Sequence, residues 1–287
     1  MLRATTRFKT LLGGGNIVVA PGAFDALSAR LVEQAGFAAV YASGGAIARS
    51  AGVPDLGLIT PDEIAQRLAA MVEAVAVPVI ADADTGYGNA LTAQRAARAF
   101  ERAGVAAFHL EDQVFPKKCG HYDDKALVPT AEMVQRLHAV RDALHDPDFT
   151  VIGRTDSIAV EGFEAALDRA AAYIEAGADM IFVEAPTTEV EIAEIARRLP
   201  GYKLINMFHG GKTPLLPAAR LQQLGYHVVI IPSDTQRAAI RAMQRVLAVI
   251  ARDGSAAAVI EDLASFAERE AVVDTAGYLA RDKRYGA

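Results

Sequence analysis

Val77-Pro78-Val79-Ile80-Ala81-Asp82-Ala83-Asp84-Thr85-Gly86-Tyr87-Gly88-Asn89 opens the unit that decides the fold. A short apolar run over 77–83 stops at acid and glycine, and an alanine-rich segment of helical period follows over 91–103. Ala103-Gly104-Val105 puts a glycine where that helix should stop, because glycine takes the left-handed turn conformation cheaply. The next strand, 107–111, begins at once. A helix between two strands is the connection that parallel pairing requires.

The same unit recurs in both directions along the 287 residues. Strands are predicted at 17–20, 39–43, 77–83, 107–111, 151–154, 180–184, 203–207 and 227–231. Helices are predicted at 25–34, 61–75, 91–103, 131–144, 163–176, 189–198 and 217–224, with a final one near 236–252. Gly36, Gly177 and Gly225 repeat the corner of Gly104, while Thr60-Pro61 and Thr188 with Glu191 mark helix starts. Eight such units predict an α/β fold, a (β/α)8 barrel of the TIM type. An open doubly wound sheet is the alternative, but the first strand lacks the Gly-rich phosphate fingerprint after it. The expected organisation is a catalytic barrel over 1–254 and a helical extension over 255–287. Within the extension, helices are expected at 255–266 and 267–279, docked either on a partner subunit or on the chain's own barrel.

With 52% hydrophobic and 22% charged residues, the chain can bury a large core. A net charge of −6 gives no footprint for nucleic acid, and apolar runs fall short of a membrane span. One cysteine and no apolar leader before Gly13 suit a reducing, cytoplasmic setting.

In a barrel of this kind, catalytic groups sit at the C-terminal ends of strands. Those ends carry Ser43 with Gly44 and Gly45, Asp82 with Asp84, Glu111, Arg154, Glu184 and Asn206. Side chains alternate along a strand, so Asp82 and Asp84 are expected on one side, and with Glu111 they suit a hard divalent ion such as Mg²⁺. Arg154, costly if left unpaired after an apolar strand, is expected to meet either a carboxylate ligand or Glu184. Arg237 is a second candidate anion clamp, or a surface residue. Cys119 lies between Lys117-Lys118 and His121, whose charges favour the thiolate and argue for an exposed polar loop.

Together Ser43-Gly44-Gly45, Pro54-Asp55-Leu56-Gly57, Asp82–Gly88, Glu111-Asp112-Gln113, Lys117-Lys118-Cys119-Gly120-His121, Arg154-Thr155-Asp156, Glu184-Ala185 and Gly210–Pro214 resemble the isocitrate lyase / phosphoenolpyruvate mutase superfamily. The resemblance covers essentially the whole chain, and the cysteine loop marks its carbon–carbon lyase branch. It implies a homotetrameric, Mg²⁺-dependent enzyme (Mn²⁺ as a substitute) that cleaves a 2-hydroxy di- or tricarboxylate by retro-aldol chemistry. By resemblance, Asp84 with Asp82 and Glu111 holds the metal, and Ser43, Gly44 and Gly45 hold the carboxylate. Arg154 polarises the developing carbonyl, Tyr41 helps deprotonate the hydroxyl and Cys119 is the general acid, tuned by Lys117 and His121. Asp55, Gly120, Glu184, Asn206 and Arg237 match substrate-contacting positions. By spacing, Phe266 stands where tricarboxylate lyases of the family carry an arginine, which favours a 2-alkylmalate such as 2,3-dimethylmalate over 2-methylisocitrate. Hydrolysis of oxaloacetate, a phosphonate-forming mutase that lacks the cysteine, and a non-catalytic metabolite-binding barrel are the other readings.

Overall fold

The computed structural model describes residues 2–118, 120 and 124–286. Eight parallel strands close into a barrel in the order in which they occur in the chain. They are β1 (Val18–Ala23), β2 (Val40–Ala42), β3 (Val79–Asp82), β4 (Ala107–Glu111), β5 (Thr150–Thr155), β6 (Met180–Val183), β7 (Tyr202–Asn206) and β8 (Val228–Ile231). The seam is β1 against β8, with Val18 opposite Val228 and Pro21 opposite Ile231. β1 runs three residues beyond its predicted end, because Gly22 and Ala23 pair with Tyr41 and Ala42 of β2.

The helices of the barrel unit are α1 (Ala4–Gly13), α2 (Ala26–Gln34), α3 (Gly44–Ser50), α4 (Pro61–Ala74), α5 (Ala90–Ala103), α6 (Thr130–Ala143), α7 (Phe163–Glu175), α8 (Glu189–Arg198) and α9 (Ala218–Leu224). Their starts are chemically marked. Thr60 and Thr188 each close a reciprocal capping box with the glutamate three residues on, as expected. Gly36, Gly104, Gly177 and Gly225 all have φ between 86° and 98°, the left-handed corner read from the sequence.

Two buried layers result. Tyr41, Ile80, Ile152, Phe182, Leu204 and Ile230 fill the inside of the barrel. α1, not foreseen from the sequence, adds Phe8 and Leu12 to that inner cluster. It is tied to the loop before β5 by Arg3–Asp146 at 2.9 Å and Thr6–Asp148 at 2.6 Å, so it closes the end where the strands begin. The opposite end is left for chemistry.

The chain divides into two compact units, Met1–Asp234 and Thr235–Ala287. In the second, α10 (Asp234–Asp253) is followed by a 3₁₀ segment (Ala257–Asp262), α11 (Phe266–Val272) and α12 (Thr275–Tyr285). The expected helices at 255–266 and 267–279 are therefore corrected in register. Ser265 caps a new helix at Phe266, and Asp274, at φ 57°, breaks the chain before α12. Among the described residues, no helix is long and apolar enough to cross a membrane.

Candidate active site

Parallel pairing puts every strand's C-terminal end on one rim, and the rim collects the polar residues. Asp82 ends β3, Glu111 ends β4, Asn206 ends β7, Arg154 is the penultimate residue of β5, and Ser43 and Glu184 directly follow β2 and β6. All six are buried, with exposures of 8% or less. Ser43 caps α3 by accepting from the Ala46 amide. A Cβ at Gly44 or Gly45 would lie 2.7 Å from Asp82 Oδ2 or Asp55 Oδ2 respectively, so a side chain at either position would displace one of these carboxylates.

Asp84 arrives by another route than predicted. β3 stops at Asp82, and Asp84 sits at φ 46°, so a left-handed turn rather than strand alternation brings it in. The Asp84 amide donates to Asp82 Oδ1 at 2.9 Å, which locks the turn. Tyr87 and Ala185, at φ 63° and 61°, add further left-handed backbone at the same rim.

Two cations organise the carboxylates. Arg154 lies 3.0 Å from Glu111 Oε2, 3.0 Å from Asp156 Oδ2 and 3.5 Å from Glu184 Oε2, with its guanidinium over the Phe182 ring at 5.0 Å. Lys117, expected in an exposed loop, is instead buried at 4% and paired with Asp55 and, at 2.9 Å, with Asp84. Two carboxylates make that burial affordable, and they commit Asp55 to Lys117. Burial pushes the Asp84 carboxyl up to about 6 and Glu111 well above the usual range, against the pull of Lys117 and Arg154. Burial would also raise Asp82, but His109, Lys117 and Arg154 outweigh it and hold that group at about 2.

Tyr41 donates at 2.7 Å to His109 Nε2 or accepts from it, and its ring stacks on the imidazole. Burial lowers His109 to about 4 and raises Tyr41 well above its usual value, so the pair is a neutral imidazole beside a phenol. His109 went unnoticed in the sequence, although it stands two residues before Glu111 and thus on the same strand face.

Ligand atoms of Asp82, His109 and Glu111 lie within 4.8 Å of one another. Among the described residues, Glu111 Oε1 has no hydrogen-bond partner, while Glu111 Oε2 and Asp84 Oδ1 meet only the charges of Arg154 (3.0 Å) and Lys117 (2.9 Å). Buried carboxylate oxygens in that condition fit a hard cation, and His109, whose Nε2 is engaged with Tyr41, keeps its Nδ1 without a partner. Cys119 and His121 lie outside the described residues. Gly120 is brought to the rim, where a Cβ would lie 2.6 Å from an Arg154 nitrogen. Arg237 and Phe266 belong to the second unit.

The profile of the family described as phosphoenolpyruvate phosphomutase matches residues 8–251. The chain is 44% identical to 2,3-dimethylmalate lyase of Eubacterium barkeri over 268 residues, 93% of each chain. It is 43% identical to 2-methylisocitrate lyase of Bacillus subtilis over 277 residues, 96% of this chain and 91% of the other. Among solved structures, a 2,3-dimethylmalate lyase superposes with a TM-score of 0.94 at 34% identity, covering 100% of this chain and 97% of that one. A phosphonopyruvate hydrolase complexed with oxalate and Mg²⁺ superposes with a TM-score of 0.90 at 32% identity, covering 99% of each.

Proposed function

The chain belongs to the phosphoenolpyruvate phosphomutase family, and we propose that it is a carbon–carbon lyase cleaving a 2-alkylmalate such as 2,3-dimethylmalate to pyruvate and propionate. The observation that carries this reading is the buried trio Asp82, Asp84 and Glu111 facing the Arg154 guanidinium on one rim. Those three carboxylates would hold Mg²⁺ (or Mn²⁺), which would supply Lewis-acid stabilisation of the C2 alkoxide formed when the hydroxyl loses its proton.

The protein's own groups do the rest. Ser43 and the amides of Gly44 and Gly45, at the head of α3, bind the carboxylate next to the hydroxyl. Tyr41 takes the hydroxyl proton as it passes its own to His109 Nε2, which burial keeps neutral and 2.7 Å away. Arg154 donates to the oxygen that becomes the carbonyl of pyruvate. As C2–C3 breaks, its electron pair moves to C3, beside the second carboxylate, and Cys119 delivers a proton there. His121 tunes that thiol, and Lys117 holds Asp55 and Asp84 in place. Gly120, Glu184 and Asn206 surround the substrate. The extension 255–287 serves as a subunit contact in a cytoplasmic homotetramer.

The 43% identity to a 2-methylisocitrate lyase supports a second reading, release of pyruvate with succinate. Pyruvate release coupled to lactate dehydrogenase decides, with 2,3-dimethylmalate, 2-methylisocitrate and isocitrate offered in Mg²⁺ and in EDTA, and oxaloacetate scored by oxalate. Mg²⁺-dependent pyruvate from dimethylmalate is the expected result. Turnover of 2-methylisocitrate alone moves the assignment to the second reading, and silence on all four overturns both.

A further inference from the structure

Lys125 belongs to none of the chemistry above, yet it is buried at 8% and its ammonium meets two acceptors. Its Nζ donates to Asp156 Oδ1 at 2.9 Å and to the Gly120 carbonyl at 2.5 Å. Asp156 in turn receives Arg154, at 3.0 Å from Nε and 3.3 Å from a terminal nitrogen. Gly120 closes the figure, because a Cβ there would lie 2.6 Å from Arg154 and 2.9 Å from Glu184 Cγ. The backbone at residue 120 thus rests directly on the guanidinium.

We propose that Lys125 is a positioning residue for the lyase reaction, fixing through Asp156 the pose of Arg154 and through the Gly120 carbonyl the backbone laid against it. This rests on the function proposed above. The physical reason lies in the charges. Arg154 is shared among Glu111, Asp156 and Glu184, so its orientation depends on how strongly each pulls. Lys125 neutralises part of Asp156, which leaves the guanidinium free to face the rim instead of collapsing onto one carboxylate. Asp156 is itself set from behind, where its amide donates to Asp112 Oδ1 at 2.9 Å. Asp112, with no exposure, also receives Thr155 at 2.7 Å and Tyr173 at 2.8 Å, so the platform under the pair is rigid. The side chain that can shift when the balance changes is therefore Arg154.

The test uses the whole chain with Lys125→Met, which keeps the length and removes the charge, with Asp156→Asn, and with the two combined. Pyruvate release is read against folded protein, and hydrogen exchange of the peptide spanning residues 117–127 is followed by mass spectrometry. A misplaced guanidinium lowers kcat by roughly 10- to 100-fold, with KM within about threefold. Because Lys125 acts through Asp156, the double variant loses no more kcat than the worse single one. Exchange in 117–127 quickens in Lys125→Met. Multiplying losses in the double variant, or a lower melting temperature with kcat intact, overturns the proposal. If the wild type releases no pyruvate from any substrate, the functional reading has failed. The exchange arm then decides alone, and unchanged exchange overturns the proposed role of Lys125.

Discussion

Asp84 carries an electrostatic cost that has a sign and a pH window. Its folded pKa of about 6 lies above the ordinary carboxylate value of about 3.9, so the folded state binds the extra proton. A raised acid destabilises once it must ionise, and stability therefore falls as pH rises from about 4 to 6. Without metal the loss is about 2–3 kcal/mol, and Asp84→Asn removes it. Melting curves in EDTA across that window check this, and parallel slopes for the two proteins would refute it. Lys117→Met should destabilise by about 3–5 kcal/mol in urea unfolding, because it strands Asp55 and Asp84 without their buried cation. Unfolding free energies equal within about 1 kcal/mol would show that the pair does not depend on the ammonium. At this scale the sequence was legible where a side chain ends a strand, as for Asp82, Glu111, Arg154 and Asn206. It was opaque where partners are distant in the chain. Lys117 reads as a solvent residue until Asp55 and Asp84, far upstream, are folded around it. The alternation argument was applied to Asp84, which a turn delivers, and not to His109, where it holds.

The elements were legible in proportion to their punctuation. Glycine corners and threonine caps are local chemistry, so Gly36, Gly104, Gly177, Gly225, Thr60 and Thr188 could be placed from neighbours alone. α3, at seven residues, is too short to show a period, and α1 is recognised only by the barrel floor it fills. The break at Asp274 was hidden too, since aspartate in a left-handed pose is ordinary in many contexts. Gly22 shows what local reading misses altogether. It is glycine not for a turn but because a Cβ would lie 2.1 Å from the Pro232 carbonyl oxygen, inside the seam that closes the barrel. Gly22→Ala should cost about 1–3 kcal/mol by overpacking, seen as a lower urea midpoint with an unchanged slope. Thr188→Ala, which opens one capping box at the surface, should cost only about 1 kcal/mol. Equal costs would mean the seam yields as readily as a helix end.

Eight repeats of one unit make the barrel readable as a whole, and its function follows from which rim the strands reach. What the second unit does at the scale of the molecule is a matter of uncovered surface. In α10, Ile240, Met243, Leu247 and Ile250 follow one another at spacings of three, four and three residues, hence along one face, and each is at least 40% exposed. Ile260, Phe266, Tyr278 and Leu279 beyond it are exposed between 57% and 73%. Side chains of this size, in a series and uncovered in a single chain, are what a subunit contact presents before assembly. A carboxylate set into such a face is cheap in the monomer, where water reaches it, and costly once a partner covers it. Leu247→Glu should therefore lower the oligomeric mass in multi-angle light scattering while far-ultraviolet circular dichroism stays that of the parent. A control change at an exposed charged site, Arg252→Glu, should leave the mass alone, since that side chain pairs with Asp253 next to it. Unaltered mass in Leu247→Glu would take the stripe out of the assembly and leave its apolar residues to another partner.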